Sequence, residues 1–389
     1  MTVPPVAPDF IRDTLTRLVQ INSINPGLVD GAPGEAEIAG YVAGVLRQLG
    51  LQVTLPADPA HRPSVVGVWT GRPDAGGRSL MLNAHLDTVG VDGMDAPFSA
   101  GIRDGRLYGR GAYDMKGALA ACLGAAHAFS RAGVRLAGDL QIAGVADEEF
   151  ASLGMQAVLR QFRPAGAIVT EPTALRTCLA HKGFVWLRVT THGRAAHGSR
   201  FDAGIDANMA MGRFLAALDG LEQQLRARAP HPLVGPPSLH AATLHGGTEL
   251  SMYAARCELG LERRTVPGET PAQVKAEIQQ LLDRLSAADP RFQAGVETLL
   301  VREPFEVAPD AAIVRAVDAA VAQTLGVDPS HCGDTPWMDA ALLAAAGVET
   351  VVIGPAGAGA HAHEEWVDLD SVVRLSQILV AAAVDFCGA

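Results

Sequence analysis

Two patterns alternate along this chain: short apolar runs, and longer stretches with an apolar residue every third or fourth position. The helical spacing predicts helices over residues 8–20 and 34–50, the latter closed by Gly50 as its C-cap. Apolar runs bounded by turn residues predict strands over 51–55, 64–70 and 79–82. An Ala-rich helix over 115–130 comes next, followed by a strand at 138–146, a helix at 154–161 and a strand at 165–170. Near the end, 349–354 reads as a strand and 368–386 as a helix. Strands and helices taking turns in this way predict an α/β layer with a mainly parallel sheet.

The middle of the chain changes rhythm. It reads as an alternating strand at 184–191, a helix at 203–225, strands at 237–245 and 253–263, a helix at 271–286 and a last strand at 294–301. The order βαββαβ is that of a ferredoxin-like unit. The expected organisation is therefore a discontinuous first domain, 1–181 and 304–389, with a ferredoxin-like domain inserted at 182–303.

Parallel sheets bind ligands beyond the carboxyl ends of their strands. The predicted strands deliver His85 and Asp87, Glu148 and Glu149, Glu171 and His361 to that edge. Asp114 follows a loop closed by Gly109 and Gly111 and precedes the Ala-rich helix. Any one of these carboxylates alone is more often a solvated loop charge. Five separate segments bringing ligand-type residues to one edge is a poor match to chance. Histidine with carboxylates suits zinc better than calcium or magnesium, with cobalt as a substitute. In metal-assisted hydrolysis, a carboxylate not spent on metal takes the proton of water and passes it to the leaving amine.

Composition narrows the partners. A length of 389 residues fits two domains, and 48% hydrophobic with 19% charged residues reads as globular. A net charge of −11 argues against nucleic acid or an anionic membrane as the main partner. Five cysteines without a CxxC pair suggest thiols in a reducing cytosol. Residues 1–10 lack the basic start and apolar core of a signal peptide, and no apolar run approaches the roughly 18 residues of a membrane span. The expected location is cytoplasmic.

Several motifs recur together. They are His85-Leu-Asp87, Gly109-Arg-Gly-Ala-Tyr-Asp114-Met-Lys-Gly117, Asp147-Glu-Glu149, Glu171-Pro-Thr173, Gly193-Arg-Ala-Ala-His197, Arg264-Thr-Val-Pro-Gly268, and His361 with Glu365. In these the chain resembles the M20 metallopeptidases, which include deacetylases, desuccinylases, aminoacylases and carboxypeptidases. The resemblance implies that His85 and Glu171 bind one metal ion and Glu149 and His361 a second. It implies that Asp114 bridges the two, with a cis bond to Met115, and that Asp87 orients His85. Glu148 would be the general base. His197 would reach a neighbouring subunit's site in a homodimer and hold the developing oxyanion, and Arg264 would meet the substrate carboxylate. His363 is then a loop residue near the pocket. The implied activity is amide hydrolysis of an N-acyl amino acid. A metallo-carboxypeptidase or dipeptidase is the alternative, and a non-catalytic binding protein on the same scaffold a remote one.

Overall fold

The computed structural model describes residues 3–57, 62–72 and 75–388. It divides into two compact units. The first comprises Met1–Leu179, Val307–Cys332 and Met338–Ala389, and the second Ala180–Glu306 and Gly333–Trp337.

The first unit opens with α1 (Pro8–Gln20), α2 (Ala36–Gln48), β1 (Gln52–Thr54), β2 (Val65–Trp69) and β3 (Leu80–His85). A small hairpin, β4 (Gly101–Arg103) and β5 (Arg106–Tyr108), leads to a π-turn at Ala112–Lys116 and then α3 (Gly117–Ala132). Next come β6 (Leu140–Val145), α4 (Leu153–Leu159), β7 (Gly166–Val169) and β8 (Thr177–His181). The second unit follows with β9 (Gly183–His192), α5 (Ala207–Arg226), β10 (Ser238–Gly246), β11 (Arg256–Thr265), α6 (Pro271–Ala288), β12 (Gln293–Arg302) and β13 (Phe305–Glu306). The chain then supplies α7 (Ala312–Leu325), β14 (His331–Asp334), α8 (Ala340–Ala345), β15 (Glu349–Val352), β16 (Gly357–Ala358), β17 (Trp366–Asp368) and α9 (Leu369–Cys387).

The main sheet runs β1-β2-β6-β3-β7-β15-β8. Its centre is parallel: β3 lies between β6 and β7, and β15 parallels β7. Every residue of β3, β6 and β7 is buried, as expected for strands covered on both faces. Helices α3 and α9 pack on β3, α7 on β7 and β15, and α4 and α8 on each other. The largely buried α3 fits because it is built from small residues. A Cβ on its Gly124 would meet Ile11 of α1 at 2.6 Å and Ser376 of α9 at 2.7 Å. Register then fixes the edge. His85 is level with Val145, and Asn83 with Val169, so the three strand ends release 85–87, 146–149 and 170–171 side by side.

Several features were not expected, among them the strands β8, β13 and β14. Helices α7 and α8 fill a stretch to which no element was assigned, and a second sheet, β16-β17-β5-β4, forms from strands of two or three residues. Strands this short carry no readable period.

The second unit is an antiparallel sheet in the order β10-β11-β9-β12 with α5 and α6, the ferredoxin-like arrangement. Burial alternates along β9 and β11, so one face carries its core. Asp206 caps α5 through the backbone N–H of Asn208 and Met209, and Thr270 with Gln273 forms a capping box on α6. Among the described residues no helix is long and apolar enough to cross a membrane. Cys122, Cys257 and Cys387 are buried free thiols.

Candidate metal and catalytic site

The three aligned strand ends, the π-turn and the loop after β16 converge on one cluster in the first unit. His85 closes β3. Its Nδ1 faces the backbone carbonyl oxygen of Asp87 at 2.9 Å, which turns Nε2 toward the cluster. Nε2 lies 3.1 Å from Oδ1 of Asp114 and 3.9 Å from Oε1 of Glu171. On the other side, Nε2 of His361 lies 3.3 Å from Oδ2 of Asp114 and 3.0 Å from Oε2 of Glu149. The two oxygens of Asp114 thus face two different histidines, each paired with its own glutamate. His85, Glu148 and Glu171 also offer donor atoms within 4.8 Å of one another, as do His85, Asp114 and Glu149. Mutual distance alone therefore does not separate Glu148 from Glu149, but the contact with His361 belongs to Glu149.

The electrostatics are those of a cation site. Burial first, and then the charge of Glu171, push the Glu148 carboxyl well above its ordinary value. Glu171 is pushed well up by burial and by Asp114, despite the opposing pull of His85. Glu149 is raised by burial and by Asp114. Burial opposes a charged His85, but its hydrogen bond to Asp114 and the charges of Glu171, Asp114 and Asp87 outweigh it and carry the imidazole well up. His361 is raised to about 10 by its hydrogen bonds to Asp114 and Glu149. Four carboxylates against two imidazoles leave an excess of negative charge that a pair of divalent ions would balance. The donor set is the nitrogen-and-oxygen mixture that transition metals take.

Specific contacts hold these candidate ligands in place. Asp114 follows Gly111 in the left-handed region (φ 78), where a Cβ would meet Thr88 at 2.7 Å, and the Asp114–Met115 bond is cis. Buried Glu365 fixes this turn: Oε1 accepts from the backbone N–H of Tyr113 (2.9 Å) and Asp114 (3.0 Å), and Oε2 from Gly111 N–H (3.0 Å) and Arg110 Nη1 (2.6 Å). Asp87, which the resemblance implied to orient His85, lies against its ring. Asp87 Oδ1 is 3.8 Å from Nδ1, and the close contact comes from its backbone oxygen. The carboxylate accepts instead from the backbone N–H of Glu148 (3.1 Å), from that of Glu149 (3.2 Å) and from Asn25 Nδ2 (2.7 Å). Sequence reasoning did not single out Asn25, Arg62 or Asp339; Asn25 stands in an Asn-Pro-Gly sequence, which by itself points only to a turn. Asp339 is buried, and its charge helps raise both Glu148 and Glu171.

Three other residues were expected near the site. His363 lines a cavity of about 510 Å³ with Met94, Asp95, Arg103, Tyr108 and Glu364. His197 belongs to the second unit, where it pairs in a β-bridge with Met252 and its exposed ring contacts Ser199 Oγ at 2.9 Å. Arg264 also belongs to the second unit. It donates from Nε to Glu262 (2.8 Å) and lies over the Phe184 ring at 5.1 Å.

Known proteins share this architecture over their whole length. An acetylornithine deacetylase of Myxococcus xanthus is 29% identical over 97% of this chain and 98% of its own. Among solved structures, aminopeptidase PepT of Bacillus cereus superposes with a TM-score of 0.79 at 17% identity, covering 98% of this chain and 100% of the other. A Bacillus subtilis protein described as a dinuclear metal binding peptidase from the M20 family superposes at 0.75 and 16% identity, covering 97% of each chain. The model of peptidase family M20/M25/M40 matches residues 81–385, a span that takes in every residue of the cluster, and the chain belongs to that family.

Proposed function

We propose that this enzyme hydrolyses the amide bond of an N-acyl amino acid with two divalent ions, zinc being the natural choice. The observation that carries the proposal is the division of Asp114 between two histidine–glutamate pairs. One ion would be held by His85, Glu171 and Asp114, the other by His361, Glu149 and Asp114. Such a pair, when bound, polarises the amide carbonyl and lowers the pKa of water. Glu148 is the general base: it takes the proton of the attacking water and returns it to the leaving nitrogen. Its raised pKa suits a group that must both accept and release a proton. Asp87 holds the backbone of Glu148 and Glu149 in place for these tasks.

The second unit supplies the remaining groups. Arg264 binds the substrate carboxylate with its guanidinium, and His197 donates to the oxyanion of a neighbouring copy in a homodimer. Support for the dimer comes from the exposed apolar side chains Phe201, Leu250 and Met252 on the His197 loop and the segment bridged to it. The acyl amino acid reading is supported by the deacetylase relative, and the alternative of a dipeptidase or carboxypeptidase by the peptidase fold neighbours. The thiols of Cys122, Cys257 and Cys387 fit a cytoplasmic protein.

The test is a substrate panel. Metal-loaded protein is assayed for free amine release from N-acetyl and N-succinyl amino acids and from dipeptides, with zinc and with cobalt. The proposal expects the highest kcat/KM on an N-acyl amino acid. Preference for dipeptides by tenfold or more would move the function to the peptidase alternative.

A further inference from the structure

Under the Glu148 turn lies a buried polar network that the ligand set does not explain. Asn25, Glu35, Asp87 and Asp147 are all at most 1% exposed. Asn25 follows α1, and its backbone N–H donates to Thr88 O at 2.8 Å, which ties it beside the exit of β3. Its Oδ1 accepts from Gly27 N–H at 2.8 Å. That bond sets the orientation of the amide and leaves both Nδ2 hydrogens for other acceptors. One goes to Asp87 Oδ2 at 2.7 Å and the other to Asp147 Oδ1 at 3.1 Å.

These two carboxylates bracket the catalytic dipeptide. Asp87 accepts from the backbone N–H of Glu148 and Glu149. Asp147, immediately before Glu148, sits in the left-handed region at φ 68, where a non-glycine residue needs outside support. Its Oδ2 accepts from Leu153 N–H at 3.3 Å, and its Oδ1 accepts from Arg62 Nη1 as well as Asn25. Arg62 in turn is held by the buried Glu35, donating from Nε to Oε2 at 2.9 Å.

We infer that Asn25, backed by Arg62 and Glu35, is a positioning residue for Glu148: it couples Asp87 to Asp147 and so fixes the backbone that aims the general base. The inference rests on the proposed role of Glu148. An asparagine is the side chain that does this work. It offers two N–H donors without adding charge, where aspartate would set a third carboxylate against two others in a buried space. Alanine would leave Asp87 and Asp147 each short of a donor and free the turn to relax.

The experiment is a double-mutant cycle on metal-loaded protein with the best amide substrate. The four proteins are wild type, Asn25→Ala, Glu148→Gln and the double variant, each measured for kcat, KM, bound metal and melting temperature. Asn25→Ala is expected to lower kcat by about 10–100-fold, the range seen when supporting contacts of a site are lost, with KM and metal content near wild type. In the Glu148→Gln background the same change is expected to have little further effect, because the group being aimed is gone. An equal loss in both backgrounds would show that Asn25 acts on the metals or the fold and would overturn the inference, as would an Asn25→Ala enzyme with unchanged kcat. If Asn25→Ala does not fold, Arg62→Gln takes its place in the cycle under the same criteria, and Arg62→Lys should restore part of the rate. A wild type without turnover on any amide would overturn the proposed function and the inference together. An active wild type with an unaffected Asn25→Ala overturns the inference alone.

Discussion

Each carboxylate oxygen of Glu365 accepts two donors, and together they hold the backbone from Gly111 to Asp114. A glutamine amide in its place would present N–H groups where two acceptors are needed, so Glu365→Gln should weaken metal binding by about 10–100-fold without touching a ligand. Competition against a metal-sensitive dye would measure it; unchanged affinity would mean that the turn keeps its shape by itself. Glu148 and Glu149 are adjacent yet face different partners, and only Glu149 contacts His361. Glu149→Gln should therefore lose one ion, read as metal per chain after dialysis, while Glu148→Gln keeps both. At this scale the sequence was legible where chemistry is carried by residue type at a strand end, as at His85 and Glu171, or in a glycine-rich turn before a helix, as at Asp114. It was not legible for Asn25 or Arg62. An asparagine in a turn and an arginine in a loop look the same whether they face solvent or a buried carboxylate, and only folding brings Asn25 to Asp147.

The elements matter because parallel register turns sequence separation into proximity. Residues 85, 148 and 171 meet because β3, β6 and β7 end level with one another. The end of β15 is packed against the same place. A Cβ on Gly354 would lie 2.1 Å from Glu171 O and 2.4 Å from Thr170 O. Gly354→Ala must push these strand ends apart, at a cost of about 1–3 kcal/mol, and should displace Glu171 and weaken metal binding. Thermal unfolding with and without metal checks this: the variant should lose both intrinsic stability and most of the metal-induced gain. The central strands were readable from their apolar runs, and the βαββαβ order from its alternation. The small sheet β16-β17-β5-β4 was not, since its strands of two or three residues are fixed by tertiary contacts rather than by local pattern.

In the whole molecule, metal, proton and stability are linked. Hydrogen bonds to Asp114 and Glu149 raise His361 from its ordinary value near 6.5 to about 10. A folded-state value that is raised means stability present in full below pH about 6.5 and lost as pH rises through about 10. The raised carboxyls of Glu148, Glu149 and Glu171 act in the same direction at lower pH, since native protons are again given up as pH rises. Metal binding must expel these protons, so affinity should grow with pH over that window. The melting temperature of chelator-treated protein should fall between pH 6.5 and 10 while that of metal-loaded protein holds, the gap widening with pH; a gap that narrows would contradict the linkage. For the proposed dimer, mixing Glu148→Gln with His197→Ala should restore activity, because one site in the mixed dimer then receives both intact groups. No recovery despite proven subunit exchange would place His197 outside the neighbour's site. The central claim is that two ions and Glu148 together perform amide hydrolysis. Its most direct test is turnover of the best substrate against metal equivalents added to chelator-treated protein, run for wild type and Glu148→Gln. Wild-type activity should rise from near zero to a plateau at about two equivalents per chain. Glu148→Gln should bind the same amount and remain about 10²–10⁴-fold slower. Full activity in metal-free protein, or near wild-type kcat in Glu148→Gln, would contradict the account.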